Sequence, residues 1–431
     1  MFKLREKKRV SVNVVDYSTL PHHRVLCLDM KSFYASCECV RLGLDPLTTY
    51  LVVVGDQNRE GGVILASTPL MKAEYGIKSG NRLFEVPRLP HILIQEANMA
   101  YYLDQSVAFT RILQDFVPLE AIHVYSVDEA WVTVDGTERL FGSTWEVAER
   151  IKNTLKEKLG LTCCVGIGPN KFLAKVVMDN YAKKSGIAEC DYGQVEELLW
   201  PLPLKEIWGI GSRLGKRLNS MGIRTLGQLA KTPLHTLKKK FGIMGEQLYW
   251  HSWGVDLSPV YASWQQESQQ KGFGHTITLL RDYTDVREIQ TVMLELSEEV
   301  CRRARHARMA GRTVSLGIGY SREAGGGFHR SRTVSLATNI TMDVYRVCLE
   351  LFRENYTGGV VRRVGVSLSH LEGDEEFQLD LFKDQVKERK LGYVMDSIRS
   401  KYGSTALLRA STYTSGGVAR ERSTKIGGHK A

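Results

Sequence analysis

The stretch AIHVYSVDEAWVTVDG at residues 121–136 decides the fold of the first half of the chain. It contains two strand-like apolar runs that meet around Asp128 and Glu129, which predicts a hairpin with two acids at its turn. Because a hairpin joins antiparallel strands, the sheet that contains it must be mixed or antiparallel.

The segments around this hairpin alternate between strand-like and helical patterns. A short apolar run at 24–30 predicts a buried strand that ends in Asp29, and a helix follows at 33–42. Such alternation predicts an α/β domain of the α+β kind. The other predicted strands lie at 49–56, 61–67 and 161–168, and the other predicted helices lie at 98–116, 144–158 and 170–184.

Length and composition predict a soluble protein of several domains. The 431 residues predict two to four domains, and 43% apolar with 25% charged residues is ordinary for a globular chain. No run approaches the roughly 18 apolar residues of a membrane span, and the N-terminus lacks an apolar signal core. We therefore expect an intracellular protein without a membrane partner. The eight cysteines show no CxxC or zinc-like spacing and are expected to be reduced core residues.

The character of the sequence changes after the first domain. Short helices broken by glycine follow, then a polar Gln-rich stretch typical of a linker, then a second alternation of strands and helices. A basic segment closes the chain, and its last dozen residues are expected to be disordered. The predicted divisions are an N-terminal extension (1–23), the first domain (24–198), a helical domain (199–262), a linker (263–272), a second α/β domain (273–382) and a basic tail (383–431).

Positive charge is concentrated in three segments. The formal net charge is +10, and residues 199–262, with nine Lys and Arg against three Asp and Glu, are strongly basic. Residues 301–332 carry eight Arg against one Glu, and residues 383–431 carry eleven basic against four acidic residues. This distribution favours a polyanionic partner, although solvated helix faces would give the same pattern.

Three carboxylates are candidates for a metal site. Asp29 ends the first strand, and Asp128 and Glu129 lie at the hairpin turn, so the three could converge where the sheet meets solvent and hold two divalent cations. In the alternative interpretation, Asp29 caps the following helix and the other two acids are ordinary turn residues.

A glycine hairpin, WGIGSRLGKRLNSMGIRTLGQLA at 208–230, is the candidate nucleic-acid site. Gly209 and Gly211 would expose backbone N–H groups at a helix N-terminus, where a phosphate binds without regard to sequence. Arg213, Lys216 and Arg217 follow on the next helix turn, and a looser copy runs through residues 221–223. An ordinary helical hairpin is the alternative.

Two further patterns leave alternatives open. Lys171, Lys175, Lys183 and Lys184 share one predicted helix near the acids, where they could meet a triphosphate or form a solvated face. The pentapeptide Gln378-Leu379-Asp380-Leu381-Phe382 could dock in a groove on a partner or form a final strand.

Three motifs in order resemble those of the Y-family translesion DNA polymerases. They are LDMKSFYASCE (28–38), YSVDEA (125–130) and GIGPNKFLAK (166–175), and the resemblance extends over most of residues 24–382. YASCE and WGIG are more similar to the UmuC-like branch of Gram-positive bacteria and their phages than to the DinB branch. The resemblance implies a right-hand polymerase: a ferredoxin-like palm with small fingers inserted at about 45–98, a helix-hairpin-helix thumb and a C-terminal little finger.

The resemblance also implies roles for individual residues. Asp29, Asp128 and Glu129 would hold two magnesium ions, with the Met30 carbonyl facing a metal, and Tyr34 would be the steric gate against ribonucleotides. Phe33 and Glu38 complete the first motif, mainly as packing and helix support. Lys183 matches the triphosphate lysine, but one extra residue after Lys175 makes Lys184 an alternative. The nucleotide-binding candidates are therefore Phe33, Tyr34, Lys72, Lys183 and Lys184.

The fingers depart from the family pattern. Many relatives have a Tyr and an Arg where this chain has Leu70 and Ala73, and Lys72 is the expected substitute for the arginine. Elsewhere the resemblance implies that Arg312, Arg330 and Arg332 lie along the DNA groove and that residues 378–382 bind the bacterial sliding clamp.

The expected function is low-fidelity, template-directed DNA synthesis across damage, in an SOS-type response. The partners would be primer-template DNA, deoxynucleoside triphosphates and the clamp, for a chain that is cytoplasmic, nucleoid-associated when bound to DNA, and monomeric alone. Two alternatives remain: a palm-type nucleotide cyclase, which needs no DNA-binding helices, and a catalytically silent DNA- and clamp-binding factor.

Overall fold

The computed structural model describes residues 15–260, 270–375 and 384–431. The chain forms two compact units: the described residues before 268 together with His429–Ala431, and those between 268 and 428. Helices and strands are mixed in both units, as predicted. Within the described ranges, no helix has the length and apolarity needed to cross a bilayer.

In its described residues the first unit contains eight short strands and eleven α-helices, besides the strand β14 (His429–Lys430) at the end of the chain. Its first half comprises β1 (Val25–Met30), α1 (Phe33–Arg41), β2 (Leu51–Val54), β3 (Ile64–Ser67), α2 (Pro69–Glu74), β4 (Leu93–Glu96), α3 (Met99–Gln114), β5 (Ile122–Val124) and β6 (Glu129–Thr133). Then come α4 (Glu138–Phe141), α5 (Thr144–Leu159), β7 (Cys163–Gly168), α6 (Lys171–Val177), a π turn (Met178–Ala182), α7 (Lys183–Ser185) and β8 (Ile187–Glu189). The helical segment that follows contains α8 (Ser212–Asn219), α9 (Leu226–Ala230), α10 (Leu234–Phe241) and α11 (Ile243–Ser252).

A five-stranded central sheet forms the framework of the first unit. Its order is β5-β6-β1-β7-β8, with β1 antiparallel to both of its neighbours and β7 parallel to β8. The predicted hairpin is confirmed as β5 and β6. Every residue of β1 is buried except Asp29, because the strand lies in the middle of a sheet covered by helices.

Helix α6 lies unusually close to the central sheet. A Cβ added to Gly166 of β7 would stand 2.0 Å from the carbonyl oxygen of Ala174, so only glycine permits this approach. The side chains of α6 therefore reach the neighbouring strands β1 and β6.

A small three-stranded sheet is inserted between α1 and α3. Its order is β3-β2-β4, with β2 antiparallel to β3 and parallel to β4. Its own core contains Val52, Val54, Ile64 and Met71, so it folds around a separate small cluster rather than extending the central sheet.

The helical segment is held by short apolar side chains and by its caps. Leu218, Leu226, Leu229 and Leu237 are buried in one core. Thr225 begins α9 with a capping box in which its side chain accepts from the Gln228 N–H, which explains why a helix starts directly after the second glycine turn.

The second unit is a four-stranded antiparallel sheet with two long helices. Its strand order is β11-β10-β12-β9, and both helices contribute buried side chains to the core that forms against the sheet. The elements are β9 (Gly272–Tyr283), α12 (Val286–His306), β10 (Met309–Tyr320), β11 (Gly327–Thr338), α13 (Thr341–Asn355), β12 (Val361–Gly373), α14 (Gln385–Tyr402) and α15 (Ala419–Arg422). Short strands β13 (Lys425–Ile426) and β14 (His429–Lys430) end the chain.

The end of the chain is ordered, so the expectation of a disordered last dozen residues is wrong. Val418 is buried in the core of the second unit, and its N–H donates to Glu295 Oε2 at 3.0 Å. Helix α14 is anchored by buried arginines rather than by apolar side chains: Arg399 pairs with Glu298 at 3.1 Å, and Arg305 of α12 pairs with Asp396 at 2.6 Å. The C-terminal segment is therefore packed against the second unit, although its composition is basic.

Two other predictions can be placed against the structure. All eight cysteines are buried and free, as predicted. The pentapeptide at 378–382 and most of the 263–272 linker lie outside the described residues.

Candidate active site

The three predicted acids meet at one end of the central sheet. Asp29 of β1 stands opposite Glu129 of β6 in the antiparallel register, and Asp128 precedes Glu129 in the hairpin turn. The Met30 N–H donates to the Asp128 carbonyl at 2.9 Å, which fixes the turn against β1. Asp29 does not cap α1, since the N-cap of that helix is Ser32. The hairpin therefore places the three acids at the same end of the sheet, and Asp29 and Asp128 line one cleft there while Glu129 does not.

A cleft of about 570 Å³ opens beside Asp29 and Asp128. It lies between the end of the central sheet and the small inserted sheet. Its lining combines acids, lysines, two aromatic residues and short side chains: Asp29, Met30, Lys31, Ser32, Phe33, Tyr34, Leu47, Leu65, Ala66, Pro69, Lys72, Ser79, Val127, Asp128, Cys164 and Lys183.

Asp29 is the more deeply placed of the two acids in the cleft. Burial raises its pKa to about 6, against the opposing effect of the Lys183 ammonium, while the nearby Asp128 carboxylate raises it further. Asp128 is held differently, because its Oδ1 accepts from Ser126 Oγ at 2.6 Å. The cleft thus holds two carboxylates whose oxygens face a common space, the kind of donor that hard divalent cations prefer.

Glu129 points away from the cleft, toward α6. Its Oε1 lies 2.7 Å from Lys175 Nζ, and the Lys175 side chain is only 7% exposed. Burial alone would lower the pKa of the Lys175 ammonium, but the neighbouring Cys27, Glu129 and Asp179 raise it above its usual range. Among the described residues, no three acidic, histidine or cysteine side chains are grouped as a ready metal cluster.

Lys183 reaches the cleft and Lys184 does not line it. Lys183 Nζ lies 3.6 Å from Asp29 Oδ2 and 2.8 Å from Asp179 Oδ1. Of the two lysines that the sequence left open, the geometry favours Lys183. Lys175, which the sequence placed with Lys171 on one face toward a triphosphate, is instead committed to Glu129 and Asp179.

Lys72 of α2, which belongs to the inserted region, also lines the cleft. Its Nζ donates to Ser32 Oγ at 2.7 Å, and burial lowers its pKa, with Asp29 raising it and Lys183 lowering it. Ser32 has φ of 50°, a left-handed conformation that is costly for a serine and that turns the chain sharply from β1 into α1. The sequence analysis missed Ser32, whose position in a two-residue strand-to-helix connection was the available signal.

Tyr34 is held by an aromatic stack with a buried anchor. Its ring lies 4.5 Å from the Tyr102 ring at an interplanar angle of 15°, and Tyr102 donates its hydroxyl proton to Glu38 Oε1 at 2.9 Å. Glu38 is fully buried and also accepts from Arg41 at 2.6 Å. Phe33 is buried at the edge of the same cleft. Sequence reasoning missed Tyr102, although α3 was predicted.

A second cleft, of about 530 Å³, lies at the start of α8. Gly209 has φ of 90°, which favours glycine, and Gly211 is the N-cap of α8. Lys216 and Arg224 line this cleft, whereas Arg217 stacks on Phe241 at 4.6 Å and Arg213 is simply exposed. The exposed helix start and its basic rim suit a phosphate.

The three arginines predicted to follow a DNA groove are paired within the second unit. Arg312 lies 3.1 Å from Glu372, and Arg330 donates to Asn355 at 3.1 Å. Arg332 contacts Glu350 at 2.6 Å and Glu354 at 2.7 Å. Strand alternation explains this result, because Arg330 and Arg332 stand opposite Leu316 and Val314 on the face that α13 covers. All three arginines therefore have partners within the second unit, and their predicted contact with DNA stays a prediction.

The opposite face of that sheet carries small polar residues. A cleft of about 510 Å³ on it is lined by Gly274, Thr276, Ser315, Gly317, Ile318, Gly326, Gly327, Phe328, His329, Arg363, Gly365, Val366 and Ser367. Eight of these thirteen residues are Gly, Ser or Thr, so most of this lining has short side chains or none.

Comparison with known proteins identifies the class of the chain. Residues 28–179 match the impB/mucB/samB family, residues 270–381 match the C-terminal domain of that family, and residues 205–256 match the thumb domain described for DNA polymerase iota. The chain belongs to the impB/mucB/samB family, as a UmuC/DinB-like Y-family polymerase, and it is a DNA-directed DNA polymerase.

Two relatives illustrate this membership, and one solved structure shares the fold. The chain is 51% identical to the putative UV-damage repair protein UvrX of Bacillus subtilis, covering 97% of this chain and all of the relative. It is 42% identical to DNA polymerase IV 2 of the same organism, covering 94% and 98%. A Y-family polymerase chimera, Dbh-Dpo4(243-245)-Dbh, shares the fold with a TM-score of 0.64 at 23% identity, covering 80% of this chain and 98% of the chimera.

Proposed function

We propose that the protein carries out low-fidelity DNA synthesis across damaged template bases, as part of an SOS-type damage response. One observation carries the proposal: a single cleft brings together two carboxylates, three lysines and a stacked tyrosine, with several short side chains in its lining. The name of the UvrX relative, a putative UV-damage repair protein, supports the link to damage.

The donor set of the cleft suits magnesium. Asp29 and Asp128 supply carboxylate oxygens, the Met30 carbonyl is adjacent, and Glu129 becomes a third acid if it exchanges its contact with Lys175. Two magnesium ions held there would lower the pKa of the primer hydroxyl and neutralise the departing pyrophosphate.

Residues of the chain itself would bind and orient the nucleotide. Lys183 and Lys72 place two ammonium groups in the cleft, where they would hold the triphosphate by charge-assisted hydrogen bonds. Tyr34, fixed by its stack on Tyr102, would pack beneath the sugar. Orientation by these groups would supply much of the rate enhancement, because phosphoryl transfer depends mainly on positioning and electrostatics.

Tolerance of damage follows from the small residues around the cleft. The inserted region contributes Leu65, Ala66, Pro69 and Ser79 to the lining, none of which is a bulky ring that would test the shape of a base pair. The cleft at α8 and the small-residue face of the second unit would hold the duplex by its backbone. The site of action would be the nucleoid.

Primer extension tests the proposed function. The full-length protein, with magnesium, all four deoxynucleotides and a primer-template that carries an abasic site, should extend the primer past the lesion as well as on an undamaged template. Failure on both templates with primer-template binding retained would instead support the catalytically silent DNA-binding factor. Failure at the lesion alone would refute translesion synthesis.

Replacing Tyr34 with Ala should relax the choice of sugar. If the ring excludes a ribose 2′-hydroxyl by close contact, its removal should raise ribonucleotide incorporation by about tenfold to a hundredfold, the equivalent of a steric penalty of roughly 1–3 kcal/mol. Single-nucleotide incorporation of rATP and dATP would measure the ratio. Tyr34→Phe is the matched control and should keep the wild-type ratio; an unchanged ratio in Tyr34→Ala would remove Tyr34 from this role.

We also propose that residues 378–382 bind the sliding clamp. Replacing Leu381 and Phe382 with Ala should cut clamp-stimulated synthesis by about tenfold or more, since apolar anchors dominate short-peptide docking, while basal synthesis is unchanged. Primer extension with and without clamp would measure both rates. Equal loss of both rates would indicate a folding role for this pentapeptide.

A further inference from the structure

Five charged side chains of alternating sign form a series of ion pairs that starts in the cleft and continues beneath it: Asp29, Lys183, Asp179, Lys175 and Glu129. Lys175 lies 2.7 Å from Glu129 and 3.2 Å from Asp179. On the other side Lys183 lies 2.8 Å from Asp179 and 3.6 Å from Asp29. Asp29 and Glu129, the two ends of this series, stand opposite each other in the register of β1 and β6. Asp179 is therefore the one member that contacts both lysines.

The helical segment that carries Lys175 and Lys183 is irregular between these two lysines. Eight residues separate Lys175 from Lys183, and in a plain α-helix that spacing would turn the second side chain about 80° away from the first. The chain instead forms a π turn at Met178–Ala182, directly between the two lysines. Because a π turn takes one more residue than an α turn, it returns Lys183 to the face that carries Lys175.

We propose that Asp179 and the π turn together position Lys183 for the incoming triphosphate, so that Asp179 is a positioning residue of this polymerase. Asp179 does not line the cleft and does not touch the nucleotide site; it acts through Lys183. Its second contact, with the nearly buried Lys175, fixes the carboxylate, so Lys183 is held by an anchored partner rather than by a mobile one. This inference rests on the proposed role of Lys183 as the triphosphate-binding lysine.

The test measures nucleotide binding as well as turnover. The full-length protein is bound to a dideoxy-terminated primer-template with magnesium, and the Kd for dATP opposite a template thymine is measured for Asp179→Asn, Lys183→Ala and the double variant. Asp179→Asn should weaken binding about tenfold, the loss of one charge-assisted hydrogen bond, and raise KM likewise while kcat changes less than about threefold. Asp179→Glu, which keeps the charge, should bind within about threefold of the wild type.

Coupling between the two residues decides the inference. The double variant should bind no more weakly than Lys183→Ala alone, because Asp179 acts only through that lysine. The inference would be overturned if the double variant lost dATP affinity by the product of the two single losses, or if the Kd of Asp179→Asn were unchanged. If Lys183→Ala binds dATP normally while the wild type still extends past an abasic site, the inference fails and the polymerase function stands.

Lys184→Ala is the register control. It should bind dATP like the wild type, since the π turn directs Lys183, not Lys184, to the cleft. This comparison stands even if Asp179→Asn does not fold, which circular dichroism would reveal. Loss of binding in Lys184→Ala with none in Lys183→Ala would overturn the proposed helix register.

Discussion

Asp128→Ala is expected to abolish DNA synthesis, lowering primer extension by about a thousandfold or more. Asp128 is one of two carboxylates that line the cleft and is proposed to hold magnesium; losing a metal ligand would forfeit several kcal/mol of transition-state stabilisation, at about 1.4 kcal/mol per tenfold change in rate. Primer-template binding should change less than about threefold, because Asp128 does not line the cleft at α8, where the DNA backbone is proposed to bind.

The matched control is Asp135→Ala. Asp135 follows the same hairpin but contacts His23 and the Arg24 N–H at the other end of β6, outside the cleft. It should extend primers at close to the wild-type rate. Extension by Asp128→Ala at a rate near that of Asp135→Ala would refute the assignment of the metal site.

Arg305→Ala is expected to destabilise the second unit by about 3–5 kcal/mol. Arg305 is 3% exposed, donates to both carboxylate oxygens of Asp396 and donates to the Asn339 carbonyl at 2.7 Å. Removing it leaves Asp396 and a buried carbonyl without their partner, and breaking a buried ion pair costs about that amount.

The measurement can separate the two units. All seven tryptophans precede residue 268, so tryptophan fluorescence reports on the first unit and should not change. Hydrogen exchange in α12 and α14 reports on the second unit and should lose protection. Arg308→Ala is the control. Arg308 lies 3.6 Å from Glu375, both side chains are exposed, and such a pair contributes little to the free energy of unfolding. Equal protection in both variants would show that Arg305 does not hold α14 in place.

Much of the central sheet and its acids could be predicted from local sequence. A buried apolar strand that ends in Asp29, and a hairpin with acids at its turn, leave few ways to arrange the three carboxylates, because β1 must pair with the hairpin. The glycine turn before α8 was equally local, since Gly209 requires a positive φ and Gly211 begins the helix.

What the sequence did not predict depends on distant partners. Lys175 meets Glu129 only because Gly166 lets α6 approach the sheet, and no local pattern shows that approach. The sequence predicted a strand for Arg330 and Arg332, but not that the acids of α13 would neutralise Arg332. Side-chain direction follows strand register, and register is set by the neighbouring strand.

The end of the chain was misjudged for a different reason. Apolar periodicity is the main signal for a packed helix, and the buried residues of α14 are Arg389 and Arg399. A helix held by ion pairs carries little of that signal, so composition alone made it look like a solvated tail.

The ordered C-terminal segment also sets the order in which the two units can fold during synthesis on the ribosome. The central sheet of the first unit is complete in sequence by residue 189, so it can fold while synthesis continues. The core of the second unit includes Val418, and Glu298 of α12 forms ion pairs with Arg399 and Arg409, which come about a hundred residues later in the chain. The second unit can therefore reach its final packing only after Val418 has been synthesised, and a nascent chain that stalls before Arg399 leaves Glu298 of α12 without its arginine partners, for the quality-control machinery of the cell to act on.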